Sequence, residues 1–384
     1  MKRIGVITVA RSDYGIYSPL LKELVADPEL DLFLIAAGMH LSPEFGMTVQ
    51  AIEEDGFKVH ERVEMLLSSD SPEGISKSMG LGTIGFAEVY SKTDLDLLIV
   101  LGDRFEMHAA VVAAVPFNIP IVHIHGGELT EGAIDDSFRH SITKMSHLHF
   151  VSTAAYAKRV KQMGEEPWRV IISGALSLDG ISEINYLSLS DLNSQLEINI
   201  ETPLFLVTFH PVTLEVDQTE EQINEVLAAL EGQKGTLLFT YPNADTSGRL
   251  IIHKIQEFVD NHAGAYFFPN LGRTRYFSLM KLASAMIGNS SSGIIEAASF
   301  HLPVVNIGNR QKGRIKGENV IDVQCDRREI QKAIKRGTSS DFQDSIKTLD
   351  NPYGDGQAST RIVAGLLNKE YEGKLILKKF CDFK

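Results

Sequence analysis

The densest group of reactive side chains lies between His123 and His140: His123-Ile124-His125-Gly126-Gly127-Glu128, then Glu131, then Asp135-Asp136-Ser137-Phe138-Arg139-His140. Carboxylates and histidines gathered at one strand end suit general acid/base chemistry, in which one group takes a proton and another delivers one. His125 reads as the last residue of its strand, so that it shares a face with His123. A His pair at that spacing, with no Cys or third fixed ligand, is a weak metal signal. Gly126-Gly127 allows close backbone approach. One of Asp135 and Asp136 is expected to cap the following helix, with Arg139 and His140 one turn on. A second charged group, Gly102-Asp103-Arg104-Phe105-Glu106, ends the wholly apolar run Leu97–Leu101. Asp103 is expected to serve the site; the alternative is a surface ion pair with Arg104, of little energetic value.

Other clusters suit an anion. In Ala10-Arg11-Ser12-Asp13-Tyr14-Gly15, Arg11 can hold a phosphate beside the N–H groups that open a helix; alternatively Ser12 or Asp13 simply caps that helix. His210-Pro211 and Tyr241-Pro242-Asn243-Ala244-Asp245 each follow a strand that the proline stops, leaving His210, Asn243 and Asp245 to face a ligand. Gly288-Asn289-Ser290-Ser291-Ser292-Gly293 presents hydroxyls and N–H groups at a helix start. It is neither a Walker A loop nor a Gly-x-Gly-x-x-Gly fingerprint, and Ser292 occupies the second glycine position of a serine-hydrolase elbow. Glu296, one turn on, either accepts from a ribose or complements the helix dipole. Arg310-Gln311-Lys312-Gly313-Arg314 is a further phosphate or base contact, or a solvated loop. Arg11, Arg104, Arg139, Arg249, Arg273, Arg275, Arg310 and Arg314 all fall at or near strand ends. A small, multiply charged anion such as a nucleoside diphosphate fits that pattern.

These groups need a frame that holds them at strand ends. Short apolar runs alternate with amphipathic stretches: strand Ile4–Val9, helix Gly15–Val25, strand Leu32–Ala37, helix Pro43–Glu54, a long helix around Gly74–Tyr90, strand Leu95–Leu101, helix Glu106–Val115, strand Pro120–His125, helix Asp135–Met145. Near-continuous apolar strands fit a parallel sheet covered on both faces, and the alternation is that of a doubly wound α/β fold. The stretch Gly180–Thr202 has no strong period. The alternation restarts at strand Leu204–Phe209 and runs past strand Val304–Ile307 to a last helix near Ala358–Leu367. With 384 residues, two domains are expected. They are placed at 1–175 and 203–355, both Rossmann-like, with a crossover at 176–202, a C-terminal helix and tail at 356–384, and a cleft at the carboxyl ends of the strands.

The net charge of −13, from 37 Lys and Arg against 50 Asp and Glu, argues against nucleic acid or an anionic membrane as partner. Two cysteines, Cys325 and Cys381, cannot build a disulfide framework. The opening MKRIGVITVARSDYG is too short to read as a signal peptide, and no apolar run approaches the ~18 residues of a membrane span; a cytoplasmic location is expected. The charge does not exclude a small anion, because the acidic excess lies on stretches such as Glu53–Asp55 and Glu220–Glu225 while arginines gather at strand ends.

Taken together, the motifs resemble the bacterial hydrolysing UDP-N-acetylglucosamine 2-epimerases of sialic-acid and related nonulosonate synthesis. The motifs are Arg11-Ser12-Asp13-Tyr14-Gly15, Gly102-Asp103-Arg104-Phe105-Glu106, the His123–His140 region, Phe209-His210-Pro211-Val212-Thr213, Asn289-Ser290-Ser291-Ser292-Gly293 and Gly317-Glu318-Asn319-Val320. The resemblance implies a glycosyltransferase-B-like architecture, UDP held by the second domain, and a last helix that returns to the first. It also implies a homodimer and a reaction that needs neither metal nor cofactor. In that reaction UDP is eliminated across C1–C2 of the sugar to give a 2-acetamidoglucal. Water then adds with inversion at C2, releasing N-acetylmannosamine. By the same resemblance, Asp103, Asp135 and Asp136 are acid/base groups oriented by Arg139. Arg11, His210, Ser290, Ser291, Glu296 and Arg310 contact UDP, and Asn243 borders the uridine. Several relatives carry Glu at the position of His125, so the base at C2 is His125, Glu128 or an aspartate. The His-bearing version also occurs among enzymes acting on UDP-2,4-diacetamido-2,4,6-trideoxyglucose, which makes that sugar nucleotide an alternative substrate. Non-hydrolysing epimerases and glycosyltransferases are more distant alternatives.

Overall fold

The computed structural model describes all residues except 70, 132–133, 213–214, 243–247, 372 and 383–384. The chain divides into two compact units. One comprises Met1–Glu128, Asp135–Gly180 and Tyr353–Lys384; the other comprises Leu129–Ile134 and Ile181–Pro352.

In the first unit, β1 (Lys2–Thr8), β2 (Leu30–Ala37), β3 (Val59–Val63), β4 (Leu97–Leu101), β5 (Ile121–Ile124), β6 (Leu148–Val151) and β7 (Val170–Ile172) form one sheet. Its order is β3-β2-β1-β4-β5-β6-β7 and its pairings are parallel. β4, Leu-Leu-Ile-Val-Leu, is buried along its whole length. Its alternate residues enter separate cores. Leu97, Ile99 and Leu101 join Leu20, Leu21 and Leu24 of helix Arg11–Ala26 with Ile362 and Leu366 of helix Ala358–Leu366. Leu98 and Val100 join Phe86 and Val89 of helix Pro72–Tyr90 with Met107 and Ala110 of helix Phe105–Ala114. The period of two thus splits one strand between helical layers on opposite faces. The strand order reverses between β1 and β4, and that switch point is where doubly wound sheets bind ligands.

In the second unit, β8 (Leu204–Thr208), β9 (Thr236–Thr240), β10 (Ala265–Phe268), β11 (Ala285–Gly288), β12 (Val304–Ile307) and β13 (Val320–Val323) pair in parallel. Their order is β10-β9-β8-β11-β12-β13. The switch point here lies between β8 and β11.

Several boundaries differ from the sequence reading. The crossover expected at 176–202 is divided, with the second unit beginning at Ile181. Ser188 caps a helix, Leu189–Leu196, which buries Leu192 and Leu196 against Leu204 and Leu206. Apolar residues four apart among Ser, Asn and Glu are too sparse to register as a period, yet suffice to seat one short helix. The helix expected over Pro43–Glu54 is a single turn, Pro43–Phe45, and a short helix, Val49–Glu54, with a first turn, Gly38–Leu41, before them. Gly46, left-handed at φ +84°, ends the second turn. The C-terminal segment rejoins the first unit at Tyr353. Its helix is capped by the buried Asp179, which accepts the Ala358 N–H at 2.8 Å. The fully buried Arg169 holds the tail by donating to the carbonyls of Leu375 at 2.8 Å and Leu377 at 2.7 Å. Among the described residues no helix is long and apolar enough to cross a membrane.

Candidate active site

In the first unit the charged groups converge on Arg139, one turn into helix Asp135–Met145 and 2% exposed. Its guanidinium donates to the Asp136 carboxylate at 2.8 Å and to the Glu128 carbonyl at 3.0 Å, and its Nη2 pairs with Asp103. One side chain therefore ties the end of β4, the turn after β5 and the start of a helix. Burial disfavours its charge, but the carboxylates of Asp103, Glu128, Asp136 and Asp135 outweigh that and raise its pKa. Asp103 does not pair with Arg104. Gly102, at φ +76°, turns the chain between them and the strand. Arg104 instead reaches the buried Glu106 at 3.0 and 3.2 Å.

His125 lies beyond the strand, since β5 ends at Ile124. Its φ of +67° is left-handed, a costly conformation for a non-glycine residue. The expected shared face with His123 is therefore broken. His125 Nδ1 lies 2.7 Å from Glu128 Oε1, which also accepts the Ser152 hydroxyl at 3.0 Å. Gly127, also left-handed, passes so close to helix Ala154–Gln162 that a Cβ would sit 2.7 Å from the Tyr156 carbonyl. His123 is spent structurally. Burial holds its pKa down at about 3, so it is neutral. Its Nε2 donates to the Gly102 carbonyl at 2.8 Å, which leaves Nδ1 to accept from the Thr143 hydroxyl at 3.1 Å. Both nitrogens are thus committed to protein partners. Among the described residues no group of three or more His, Cys, Asp or Glu is placed to hold a metal ion.

Asp13 lies at the other side of the same switch point. Helix Arg11–Ala26 starts at Arg11, not Gly15, and Ala10 is its cap, so neither Ser12 nor Asp13 occupies that position. Asp13 instead accepts the N–H groups of Val9 at 3.3 Å and Ala10 at 3.2 Å. Burial pushes its pKa up to about 6, with Arg104 pulling down and Glu106 pushing up. A carboxyl raised on folding lends stability below its unfolded value near 4 and withdraws it as pH rises through about 6. Asp13→Asn keeps an acceptor for both N–H groups and removes the buried charge. It is expected to stabilise the protein by about 2 kcal/mol at pH 7.5, with no gain at pH 4. Thermal melts of both proteins at the two pH values test this.

In the second unit the ends of β8 and β11 are locked together. The Asn289 amide donates to the His210 carbonyl at 2.8 Å and accepts the His210 N–H at 2.7 Å. Gly288, at φ +130°, approaches the Thr208 carbonyl where a Cβ would clash, which allows the two ends to meet. Arg310 at 3.1 Å and Gln311 at 2.8 Å both donate to the Asn289 carbonyl. Burial, with Arg310 nearby, drives His210 well below its usual pKa, so it is neutral. Ser290 caps the five-residue helix Ser291–Ile295, accepting the Ser292 N–H at 3.3 Å. Glu296 follows that helix and is buried.

The structure therefore gathers Asp103, His125, Glu128, Asp136 and Arg139 in one unit, with Asp135 heading the same helix. It gathers His210, Ser290 and Arg310 in the other, with Ser291 and Ser292 in the helix that Ser290 caps. Arg11 and Ser12 are exposed in the first helical turn. Asn243 and Asp245 lie outside the described residues. The segment Leu129–Ile134 was expected to stay with its neighbours in 1–175. It belongs to the second unit, where Leu129 accepts from Arg314 Nε at 3.3 Å and Glu131 pairs with Lys312 at 3.4 Å. Ser152 was missed as a supporting residue, and Glu106, Asn289 and Gln311 stood inside the quoted motifs without a supporting role assigned to them. Ser152 and Asn289 carried the usable signal, since each directly follows a strand.

Two Rossmann-like, doubly wound units with polar groups at their switch points define a glycosyltransferase-B-like fold. A solved UDP-GlcNAc 2-epimerase from Neisseria meningitidis shares it, with a TM-score of 0.79 at 17% identity over 96% of this chain and 100% of that one. The chain belongs to the UDP-N-acetylglucosamine 2-epimerase family, whose model matches residues 22–367. It is similar to the GDP/UDP-N,N'-diacetylbacillosamine 2-epimerase (hydrolyzing) of Campylobacter jejuni, 40% identical over 383 residues and 99% of each chain. It is also similar to the UDP-N,N'-diacetylbacillosamine 2-epimerase (hydrolyzing) of Legionella pneumophila, 37% identical over 361 residues and 94% of each chain.

Proposed function

We propose that this chain is a hydrolysing 2-epimerase that converts UDP-N,N'-diacetylbacillosamine, the diacetamido-trideoxyglucose nucleotide, to UDP and the free sugar inverted at C2. The observation that carries the chemistry is the buried Arg139 holding Asp103 and Asp136 beside the His125–Glu128 pair. Elimination needs a base for the C2 proton, and hydration needs an acid on the opposite face with a group to assist water. Asp103, Asp135, Asp136, His125 and Glu128 supply those roles, with Arg139 orienting the aspartates. In the second unit His210, Ser290, Ser291, Ser292, Glu296 and Arg310 are assigned to UDP, together with Arg11, Ser12 and Arg104 of the first. Asn243 is assigned to the uridine side and Asp245 to substrate binding. A neutral, buried His210 can donate to a phosphate or ribose oxygen at the switch point.

The choice of substrate rests on the Campylobacter and Legionella relatives. The family description favours a second substrate, UDP-N-acetylglucosamine, which by the same steps gives N-acetylmannosamine. Incubation with each UDP-sugar in D2O, followed by NMR, separates these. The expected result is UDP plus a free manno-configured sugar deuterated at C2, formed faster from the diacetamido nucleotide. Intact UDP-sugar in both reactions, or a free sugar without deuterium at C2, sinks the proposal.

A further inference from the structure

The residues around the C2 position leave several candidates for the proton-carrying atom, and their hydrogen bonds distinguish them. Asp103 and Asp136 are both engaged by the Arg139 guanidinium. Glu128 is 3% exposed, and its Oε1 receives both the His125 ring and the Ser152 hydroxyl. His125 differs from all of these. Its Nδ1 is bonded, whereas its Nε2 is buried without a hydrogen-bond partner among the described residues. A buried, unmatched ring nitrogen costs about 1–3 kcal/mol, and the left-handed backbone that presents it adds strain. Two local costs at one residue, on the turn that follows β5, mark a side chain aimed by the fold.

The partner decides the tautomer. Glu128 Oε1 also accepts from the Ser152 hydroxyl, and its carboxylate raises the Arg139 pKa, so it faces the His125 ring as an acceptor. A carboxylate only accepts, so the 2.7 Å contact makes Nδ1 the donor. In the base form of the ring the lone pair is then on Nε2. The same logic orients a general-base histidine by a buried carboxylate in acyl-transfer enzymes.

Resting on the epimerase reading above, we propose that Nε2 of His125 takes the C2 proton, with Glu128 and Ser152 as positioning residues. The C2–H pair becomes the C1=C2 double bond and the C1–O bond breaks. UDP leaves with that electron pair, and the proton stays on Nε2. Hydration from the opposite face falls to the aspartates.

The test has two arms. In His125→Asn the amide still donates to Glu128 while the ε nitrogen is gone. UDP release is expected to fall at least about a hundredfold, with UDP affinity unchanged within about twofold. A primary isotope effect from substrate deuterated at C2 should emerge as proton removal becomes limiting. Glu128→Gln should lower kcat about tenfold with KM held and raise the same isotope effect; a purely structural role would not move that effect. Near-normal UDP release in His125→Asn overturns the assignment. So does release of UDP with accumulation of the glycal, which would move His125 to the hydration half. The second arm needs no turnover. In 15N-edited NMR of the histidine-labelled protein, with the His125 signal identified by its loss in His125→Asn, the ring should be protonated on Nδ1. A ring protonated on Nε2 overturns the proposal whatever the substrate. A wild-type protein that releases no UDP, yet shows the Nδ1–H ring, refutes the reaction and leaves the tautomer standing.

Discussion

Asp103→Asn is expected to lower kcat by at least about a thousandfold while leaving UDP binding within about twofold. Asp103 stands at the carboxyl end of a fully buried strand, after the left-handed Gly102, and reaches no charged partner but Arg139 among the described contacts. Asparagine is isosteric and keeps an oxygen that can accept from Nη2, so Arg139 stays in place and helix Asp135–Met145 keeps its direction. The variant loses only the ability to give or take a proton. The residues assigned to UDP lie chiefly in the second unit, so the nucleotide should still bind. NMR of free-sugar formation, which counts any glycal separately, and titration calorimetry with UDP measure the two quantities side by side. Activity within tenfold of wild type would remove Asp103 from the acid/base set. A parallel loss of UDP affinity would reassign it to binding.

The reasons some of this site was legible in the sequence, and some was not, are physical. A parallel strand buried on both faces must be apolar throughout, so Leu97–Leu101 declares itself, and the first charged residue after it must lie at the strand's carboxyl end. That puts Asp103, His210 and Ser290 just after their strands without any alignment, whereas His125, read as the last strand residue, lies one residue beyond it. The edge strand Val59–Val63 has a polar, half-exposed centre, His-Glu-Arg, and offers no such run. Partner choice was hidden for a different reason. Adjacent Asp103 and Arg104 invite an ion pair, yet a left-handed glycine and the extended Arg104 backbone send the two side chains apart. The concentration of arginines at strand ends also means less than it suggests. Arg139 and Arg104 neutralise internal carboxylates, while Arg275 and Arg314 donate to the carbonyls of Leu271 and Leu129. Nor could sequence order reveal that Leu129–Ile134, in the middle of the densest motif, belongs with the second unit. That membership comes from Arg314 and Lys312, more than 170 residues away in the chain.

Arg139→Met should be the most damaging single substitution for stability, at a cost of about 4 kcal/mol near neutral pH. Methionine matches much of the arginine's length and suits a helix, so the loss is electrostatic rather than a cavity. Removing the guanidinium takes three hydrogen-bonded partners from one buried point: Asp103, Asp136 and the Glu128 carbonyl. The carboxylates that raise the Arg139 pKa are, by reciprocity, stabilised in their charged forms by it. Without it these carboxylates face one another around a buried point with no countercharge, a repulsion that protonation relieves. The deficit of Arg139→Met should therefore be largest at pH 7.5 and shrink towards pH 4.5, where the carboxylates take up protons. Adding Asp103→Asn should recover part of the loss, since it removes one of the stranded charges; the double-mutant cycle isolates that coupling. Denaturant or thermal melts of the four proteins at both pH values provide the measurement. A deficit that is equal at the two pH values, or no recovery in the double variant, would mean that Arg139 acts as a packing residue and that the carboxylates do not depend on its charge.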